Sequence, residues 1–444
     1  MTAAELRRDT FSSLRNLNYR RYASGQAISL IGTWMQQVAQ SWLVLQLTGS
    51  ATDLGVVVAL QTLPVLLLGP YGGVVADQMD KRKLMIGLQS MMGTLALALG
   101  LLTVTHNVTL WEVEVLALLL GLNNCFENPA RQSFVLEMVG PDDLRNAISI
   151  NSVLVNAARA IGPGVAGIVI AAGGTGLCFL LNAASFAAVV VSLMRLDVSA
   201  LHPAKPTGRG PGQLRQGLAY VRRTPVLALT LLMMGLIGCF AWEFQVSLPV
   251  MASRTFSSGS AAYGFMTAAM GAGAVVGGLW VAARGTTGLP ALVRSSVAFG
   301  LAMLAATVAP DLITELVALA LVGAAGVSVM SKGNSTLQLN SEPTMRGRVM
   351  ALWAVAFMGS TPIGGPIVGA VAENFGGRAG LAVGAVACLL AALLGGLAAR
   401  RLRLSTAPLR AGEPGVDSVA EAGAGKTRAV DAGAVEAGAV EAGA

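Results

Sequence analysis

Two ionisable side chains stand inside long apolar runs, and the chemistry open to them is that of charge held or moved, not of bonds broken. Arg159 lies some 14 residues, about 21 Å, into one such run, close to where a bilayer midplane would fall. A guanidinium keeps its proton, so Arg159 holds a fixed charge, binds an anionic group or orients a carboxylate. Alternatively it bonds to carbonyls that Pro163 leaves without an amide partner. Glu243 follows Trp242 and precedes Gln245 in a later run. A carboxyl at that depth can take up and release a proton, or it can pair near the outer headgroups. A third group is the run Gly73-Val-Val-Ala-Asp77-Gln-Met-Asp80-Lys81-Arg82-Lys83. Asp77 is placed where helix N-termini with partial positive charge are available to it. Arg82 can pair with an acidic residue at another helix end, with Glu127 the first candidate. Lys81 and Lys83 are expected to be solvated. Glu127 also stands one helical turn before Arg131, so an intrahelical pair competes for it.

No nucleophile–base pair or metal cluster accompanies these charges, which argues against an enzyme. The four cysteines, Cys125, Cys178, Cys239 and Cys388, each sit within an apolar run and form no paired motif. His106 and His202 fall in predicted loops, so neither a metal nor a cofactor is implied.

What must position these side chains is a set of membrane helices. Of 444 residues, 54% are hydrophobic and only 12% charged, where a soluble domain carries about 25% charge. Mean hydropathy is +0.66. Apolar runs long enough to cross roughly 30 Å of hydrocarbon fall at about 21–47, 52–76, 84–105, 110–131, 145–171 and 175–195. A second set falls at about 225–250, 261–284, 288–309, 312–333, 347–372 and 378–400. The expectation is an all-α polytopic membrane protein of twelve transmembrane helices in two six-helix bundles, 21–195 and 225–401. Abundant Gly inside these runs suits close packing in lipid, and the segment before residue 21 is polar and basic, not a cleavable signal.

The formal charge of +7 is not a nucleic-acid footprint, because Lys and Arg gather in alternate loops without aromatic partners. Arg20, Arg21, Lys81, Arg82, Lys83, Arg222, Arg223 and Arg400 lie on one side; the opposite loops hold only Arg254 and Arg378. Both termini are therefore expected in the cytoplasm, the N-terminal segment being residues 1–20. Residues 196–224 form a polar linker ending in an amphipathic segment, Gln213–Arg223, with Leu214, Leu218 and Val221 on one face. It is expected to lie at the membrane surface. From 402 to 444 the sequence is of low complexity, and a disordered cytoplasmic tail is expected.

The halves echo each other. Gly162-Pro163-x-x-x-Gly167 and Gly365-Pro366-x-x-Gly369 recur about 203 residues apart, and Arg145 and Arg348 keep that separation, as internal repeats in carriers do. The Gly-Pro pairs are expected to loosen or kink their helices and serve as hinges.

The loop after the second span resembles the signature of the major facilitator superfamily, and six plus six spans match that fold. Asn128-Pro129-Ala130-Arg131-Gln132, Arg159-x-x-Gly162-Pro163, Gly217 to Pro225, and Arg346-Gly347-Arg348-Val349-Met350 resemble its drug:proton antiporter branch, which includes the enterobactin exporter and macrolide efflux proteins. The resemblance covers residues 11 to about 401. It implies a monomeric exporter in the inner (plasma) membrane that exchanges protons for an amphipathic small molecule such as a drug, macrolide or siderophore. An importer or uniporter on the same fold, or a non-transporting membrane sensor, are the alternatives.

If spans 1, 4 and 7 line the cavity as in that family, Trp34, Gln37, Gln40, Ser41, Asn123, Asn124 and Trp242 face the substrate. Gly73, Asp77, Arg82, Glu127 and Arg131 would form a latch at the cytoplasmic side, and Glu243 and Arg159 would be the proton-coupling or buried charges. The sequence departs from the pattern at Asp80, where the superfamily usually has Gly. The matching loop of the second half keeps only Arg284, and span 4 reads Leu118-Leu119-Leu120-Gly121 where many proton antiporters have Arg.

Overall fold

Inside lipid a backbone has no water to bond to, so apolar stretches satisfy their amides and carbonyls internally, as helices. The computed structural model describes residues 12–202 and 213–406, and their side chains except those of 70–77, 213–214 and 401–406. In chain order the helices are α1 (Leu17–Thr48), α2 (Ala51–Gln78), α3 (Lys81–Val104), α4 (Leu110–Met194) and α5 (Gln213–Arg223). There follow α6 (Pro225–Phe240), α7 (Phe244–Val250) with a π-turn at Met251–Thr255, α8 (Ser260–Arg284) and α9 (Leu289–Thr307). The last are α10 (Leu312–Leu339), α11 (Arg346–Phe357), α12 (Thr361–Phe375) and α13 (Gly377–Thr406). The protein is all-α among the described residues, and nine of its helical stretches are long and apolar enough to cross a membrane. The described residues up to Leu402 pack as one compact unit. The segment before residue 12, most of the Pro/Gly linker and the tail from 407 lie outside the described residues.

Helix α4 is 85 residues long and leaves helical geometry at Gly140 (φ 72°) and Gly174 (φ 76°), where a residue with a Cβ would be strained. It therefore has three legs: 110–139, 141–173 and 175–194. The apolar run alone suggests that the first leg stops near residue 131. It continues because Phe134, Val135 and Met138 bury against Tyr19, Tyr22 and Met85, with Tyr22 edge-on to Phe134 at 6.2 Å. Pro141 then opens the next leg, where a missing amide costs little.

Two spans expected as continuous are broken. Helices α6 and α7 part at Ala241–Glu243, and α11 and α12 part at Met358–Ser360. Beside these breaks the helices touch through glycine. A Cβ on Gly238 would fall 2.3 Å from the Phe357 carbonyl oxygen, and one on Gly364 would fall 1.5 Å from that of Cys239. Neither Pro163 nor Pro366 interrupts its helix. Gly162-Pro163 and Gly365-Pro366, the expected hinges, thus lie inside continuous helix, and the breaks in helical geometry fall at Gly140, Gly174, Ala241–Glu243 and Met358–Ser360.

Gln213–Arg223 is a helix, as expected, but it packs on protein. Val221 is buried with Leu227, Leu337 and Val349, Gly217 meets Arg348, and Leu218 stays 40% exposed. The ends of α10 and α11 offer an apolar seat that the single helix could not reveal.

First-half and second-half helices meet along two seams. In one, α2 meets α12, where a Cβ on Gly55 would lie 2.3 Å from the Gly365 carbonyl oxygen. In the other, the middle leg of α4 meets α8, where a Cβ on Gly264 would lie 2.5 Å from the Pro163 oxygen and one on Gly271 2.8 Å from the Arg159 oxygen. Such approach needs small residues on both sides.

Candidate functional site

Between the seams lies a cavity of about 100 Å³, measured to the centres of water-sized spheres. Trp34 and Gln37 of α1, Arg159 of α4, Trp242 and Gln245 at the α6–α7 break, and Tyr263 and Thr267 of α8 supply its polar and aromatic wall. Phe244, Phe299 and Val322 complete the apolar side. The guanidinium of Arg159 lies over the Trp34 ring, 4.9 Å from its centroid. Its Nε is buried with no hydrogen-bond partner. Arg159 therefore faces the cavity rather than carbonyls freed by Pro163. The oxygen that Pro163 frees is that of Arg159 itself, and it packs on Gly271.

Three of the seven expected cavity residues, Trp34, Gln37 and Trp242, line it. Ser41 instead reaches the hydroxyl of Tyr263, whose ring stacks on Trp42 at 6.4 Å. Gln40 and Asn123 are buried away from it, and the Asn124 carbonyl accepts a hydrogen bond from Asn128 Nδ2 at 3.3 Å. Gln36, one residue from Gln37, accepts a 2.6 Å bond from Asn182 and ties α1 to the last leg of α4. Helical spacing defines which residues share a face, not which way the face turns.

Glu243 is 4% exposed and sits at the N-terminus of α7. Its Oε1 has no partner, while the Thr361 hydroxyl hydrogen-bonds the carboxylate. Oε2 lies 3.6 Å from the point where a Cβ on Gly365 would stand. Glu243 does not itself line the cavity; its neighbours Trp242 and Phe244 do, and its carboxylate lies beside Gly365 of the α2–α12 seam.

The end of the bundle opposite the basic loops is tied shut across the halves. Arg254 pairs with Glu373 at 3.0 Å within the second half and donates across to the Gly49 carbonyl of the first. Glu373 in turn accepts the Ala51 amide at 2.5 Å. At the basic end no polar contact joins the halves among the described residues.

The basic loop behaves differently from expectation. Arg82 donates to the carbonyls of Leu193 and Met194, each at 2.9 Å, and so caps the last leg of α4. It does not reach Glu127. Glu127 pairs with Arg131 at 3.1 Å and accepts from Gln89 at 3.3 Å, which is the intrahelical arrangement. Gly73 and the side chain of Asp77 fall in the stretch 70–77, whose surroundings lie outside the described residues. Asp80 caps α3 by accepting the Lys83 amide at 3.0 Å, which gives that departure from the family pattern a local role. Lys81, expected in solvent, is 7% exposed and bound to Glu137 at 2.7 Å. Breaking a buried pair from one side strands a charge. Glu137→Leu is therefore expected to destabilise the protein by about 3 kcal/mol, with much of the loss regained when Lys81→Met is added. Melting midpoints in detergent would check this; equal melting of the single and double variants would contradict it.

Several groups escaped sequence reasoning because their partners are remote in the chain. Arg254 and Glu373 are one pair. Glu315 is another such group, fully buried in α10 with neither carboxylate oxygen hydrogen-bonded and the charge of the remote Arg378 acting on it. Tyr263 and Gln245 of the cavity carried no signal beyond their position in an apolar run.

Long apolar helices enclosing a cavity that is tied at one end define an integral membrane protein of the solute-carrier type. The chain belongs to the Transmembrane secretion effector family of the major facilitator superfamily, whose profile matches residues 8–414. Members of that superfamily are transporters, not enzymes, and act on small molecules. The chain is 23% identical over 369 residues to the Staphyloferrin A transporter of Staphylococcus aureus, covering 80% of this chain and 89% of that protein. To the Enterobactin exporter EntS of Shigella boydii it is 26% identical over 375 residues, covering 81% and 85%. To the MFS-type transporter YfiS of Bacillus subtilis it is 27% identical over 242 residues, 53% of this chain and only 56% of that protein. Among solved structures, the POT family transporter PepTSo superposes with a TM-score of 0.72 at 12% identity, covering 88% of this chain and 99% of that one. That likeness supports the fold.

Proposed function

We propose that this protein is a secondary active exporter that exchanges protons for amphipathic small molecules by alternating access. In this reading twelve helices span the membrane as two six-helix bundles. Leu110–Met194 accounts for three of them, and the broken pairs α6–α7 and α11–α12 for one each. The basic end and both termini face the cytoplasm. The observation that carries the reading is the cavity between the halves, shut at one end by Arg254, Glu373 and the α1–α2 turn, with no polar tie between the halves at the other among the described residues. That arrangement suits a carrier loaded from the cytoplasm, which must next close its basic end and open the far one.

In the closed-basic-end state, Arg82, Glu127 and Arg131 would exchange their present partners for contacts across the halves, with Gly73 and Asp77 completing the latch. Glu243 would carry the proton, and Arg159 would hold the charge of the cavity. The exporters among the relatives support efflux over uptake.

The test uses the purified full-length chain, acting as a monomer, in liposomes loaded with a proton gradient. Dye or siderophore should move against its gradient while the proton gradient lasts. Addition of a protonophore should stop that movement. Uphill movement indifferent to the protonophore would remove proton coupling, and uptake in the opposite sense would favour an importer.

A further inference from the structure

We infer that the substrate is an amphipathic anion: one acidic group, carboxylate or phenolate, on a flat and mostly apolar body. The inference takes its direction of movement from the export reading, but the binding claim stands without it. The cavity wall holds one cation, Arg159, and no acidic side chain among its lining residues. Burying a charge without a counter-charge is unfavourable, and the face of Trp34 offsets only part of that. The guanidinium is thus left with donors that no described residue fills, Nε among them. A carboxylate or phenolate in the cavity would accept those donors in a geometry suited to a planar fork. Trp242, Phe244 and Phe299 form the opposite, aromatic wall, where an apolar ring system would sit.

A second cavity repeats the sign of the charge. It measures about 260 Å³, adjoins the first at Val327, and is lined by Lys332 with the hydroxyl-bearing Ser331, Ser335, Thr286 and Thr287. Lys332 makes no ion pair with any described residue, and the charge of Arg294 acts on it as well. It lies roughly 7.5 Å along α10 from Val327, toward the basic end. An anion entering from that end meets Lys332 before Arg159, and such fields raise encounter rates. A cationic amphipath would meet like charge at both positions with no carboxylate to receive it.

The experiment uses two dyes with one tricyclic core and opposite charge, fluorescein (anionic) and rhodamine 123 (cationic). Their binding to the purified full-length protein is followed by dye anisotropy. Fluorescein is expected to bind the wild type more tightly than rhodamine 123. Arg159→Gln should weaken fluorescein about tenfold or more while leaving rhodamine binding equal or improved, which also reports that the variant is folded. Arg159→Lys should keep part of the affinity for fluorescein. Lys332→Gln should slow fluorescein binding at low salt, with a smaller effect at high salt.

The proposal is overturned by tighter binding of rhodamine 123 than of fluorescein, by absent fluorescein binding, or by fluorescein affinity indifferent to Arg159→Gln. Flux of the same dyes in liposomes separates the two claims. Arg159-dependent binding without flux would sink the export reading alone. Flux confined to rhodamine 123 would sink the anion and keep the exporter.

Discussion

Glu243→Gln is expected to collapse uphill export while leaving substrate exchange intact. With the membrane potential clamped at zero, one proton moving down two pH units releases about 2.7 kcal/mol, enough to sustain a roughly 100-fold gradient of substrate whatever its charge. A glutamine mimics the protonated carboxyl permanently, so this drive is lost and the gradient should fall toward unity. Exchange of labelled for unlabelled substrate needs no net proton movement and should persist. The position argues for the role: the carboxylate is 4% exposed, one oxygen is unpartnered, and it touches both Thr361 and the neighbourhood of Gly365. A charge appearing there is felt by the cavity wall and by the α2–α12 seam together. Glu243→Asp should retain coupling in part. Retention of protonophore-sensitive uphill efflux in Glu243→Gln would move the proton site elsewhere, with Glu315 the next carboxyl to test.

The second large effect is expected at the far end. Glu373→Ala removes the Arg254 pair and the acceptor for the Ala51 amide in one change. The ion pair joins two elements of the second half and is about one-third exposed on each side, so it acts on closure only by steadying the Arg254 contact to Gly49, a small contribution of roughly 0–1 kcal/mol. The lost hydrogen bond to a charged acceptor adds about 1.5 kcal/mol, for a combined shift on the order of tenfold toward the state open at that end. A cysteine placed at Thr267, in the cavity wall, would report it through labelling by a membrane-impermeant maleimide added outside. Labelling about tenfold faster in Glu373→Ala is the expected result. An unchanged rate would mean that the glycine seams, not the clamp, hold that end closed.

The sequence already carried much of this architecture, because a charge-free apolar run of about 20 residues has few fates other than a membrane helix. Arg159 and Glu243 stood out for the same reason: a charge inside such a run is conspicuous. What remained hidden depended on neighbours that no spacing announces. Lys81 lies in a loop that also satisfies topology, so its burial against Glu137, 56 positions away, had no local trace. Arg254 looked like a stray loop cation until Glu373, 119 positions on, stood beside it. The breaks at Ala241–Glu243 and Met358–Ser360 fall inside runs apolar enough overall to read as single spans, where hydropathy is blind to backbone geometry. Trp34, Gln37 and Trp242 line the cavity, whereas Gln40, Ser41, Asn123 and Asn124 do not, since helix rotation is set by packing against partners.

The two seams have a mechanical consequence. Where Gly55 meets Gly365 and Gly264 meets Pro163, main chain lies against main chain. Interdigitated side chains would have to withdraw from their sockets, rotamer by rotamer, before one half could turn against the other. Smooth backbone surfaces carry no such teeth, so they act as bearings: they hold the halves at a fixed distance and still let them roll.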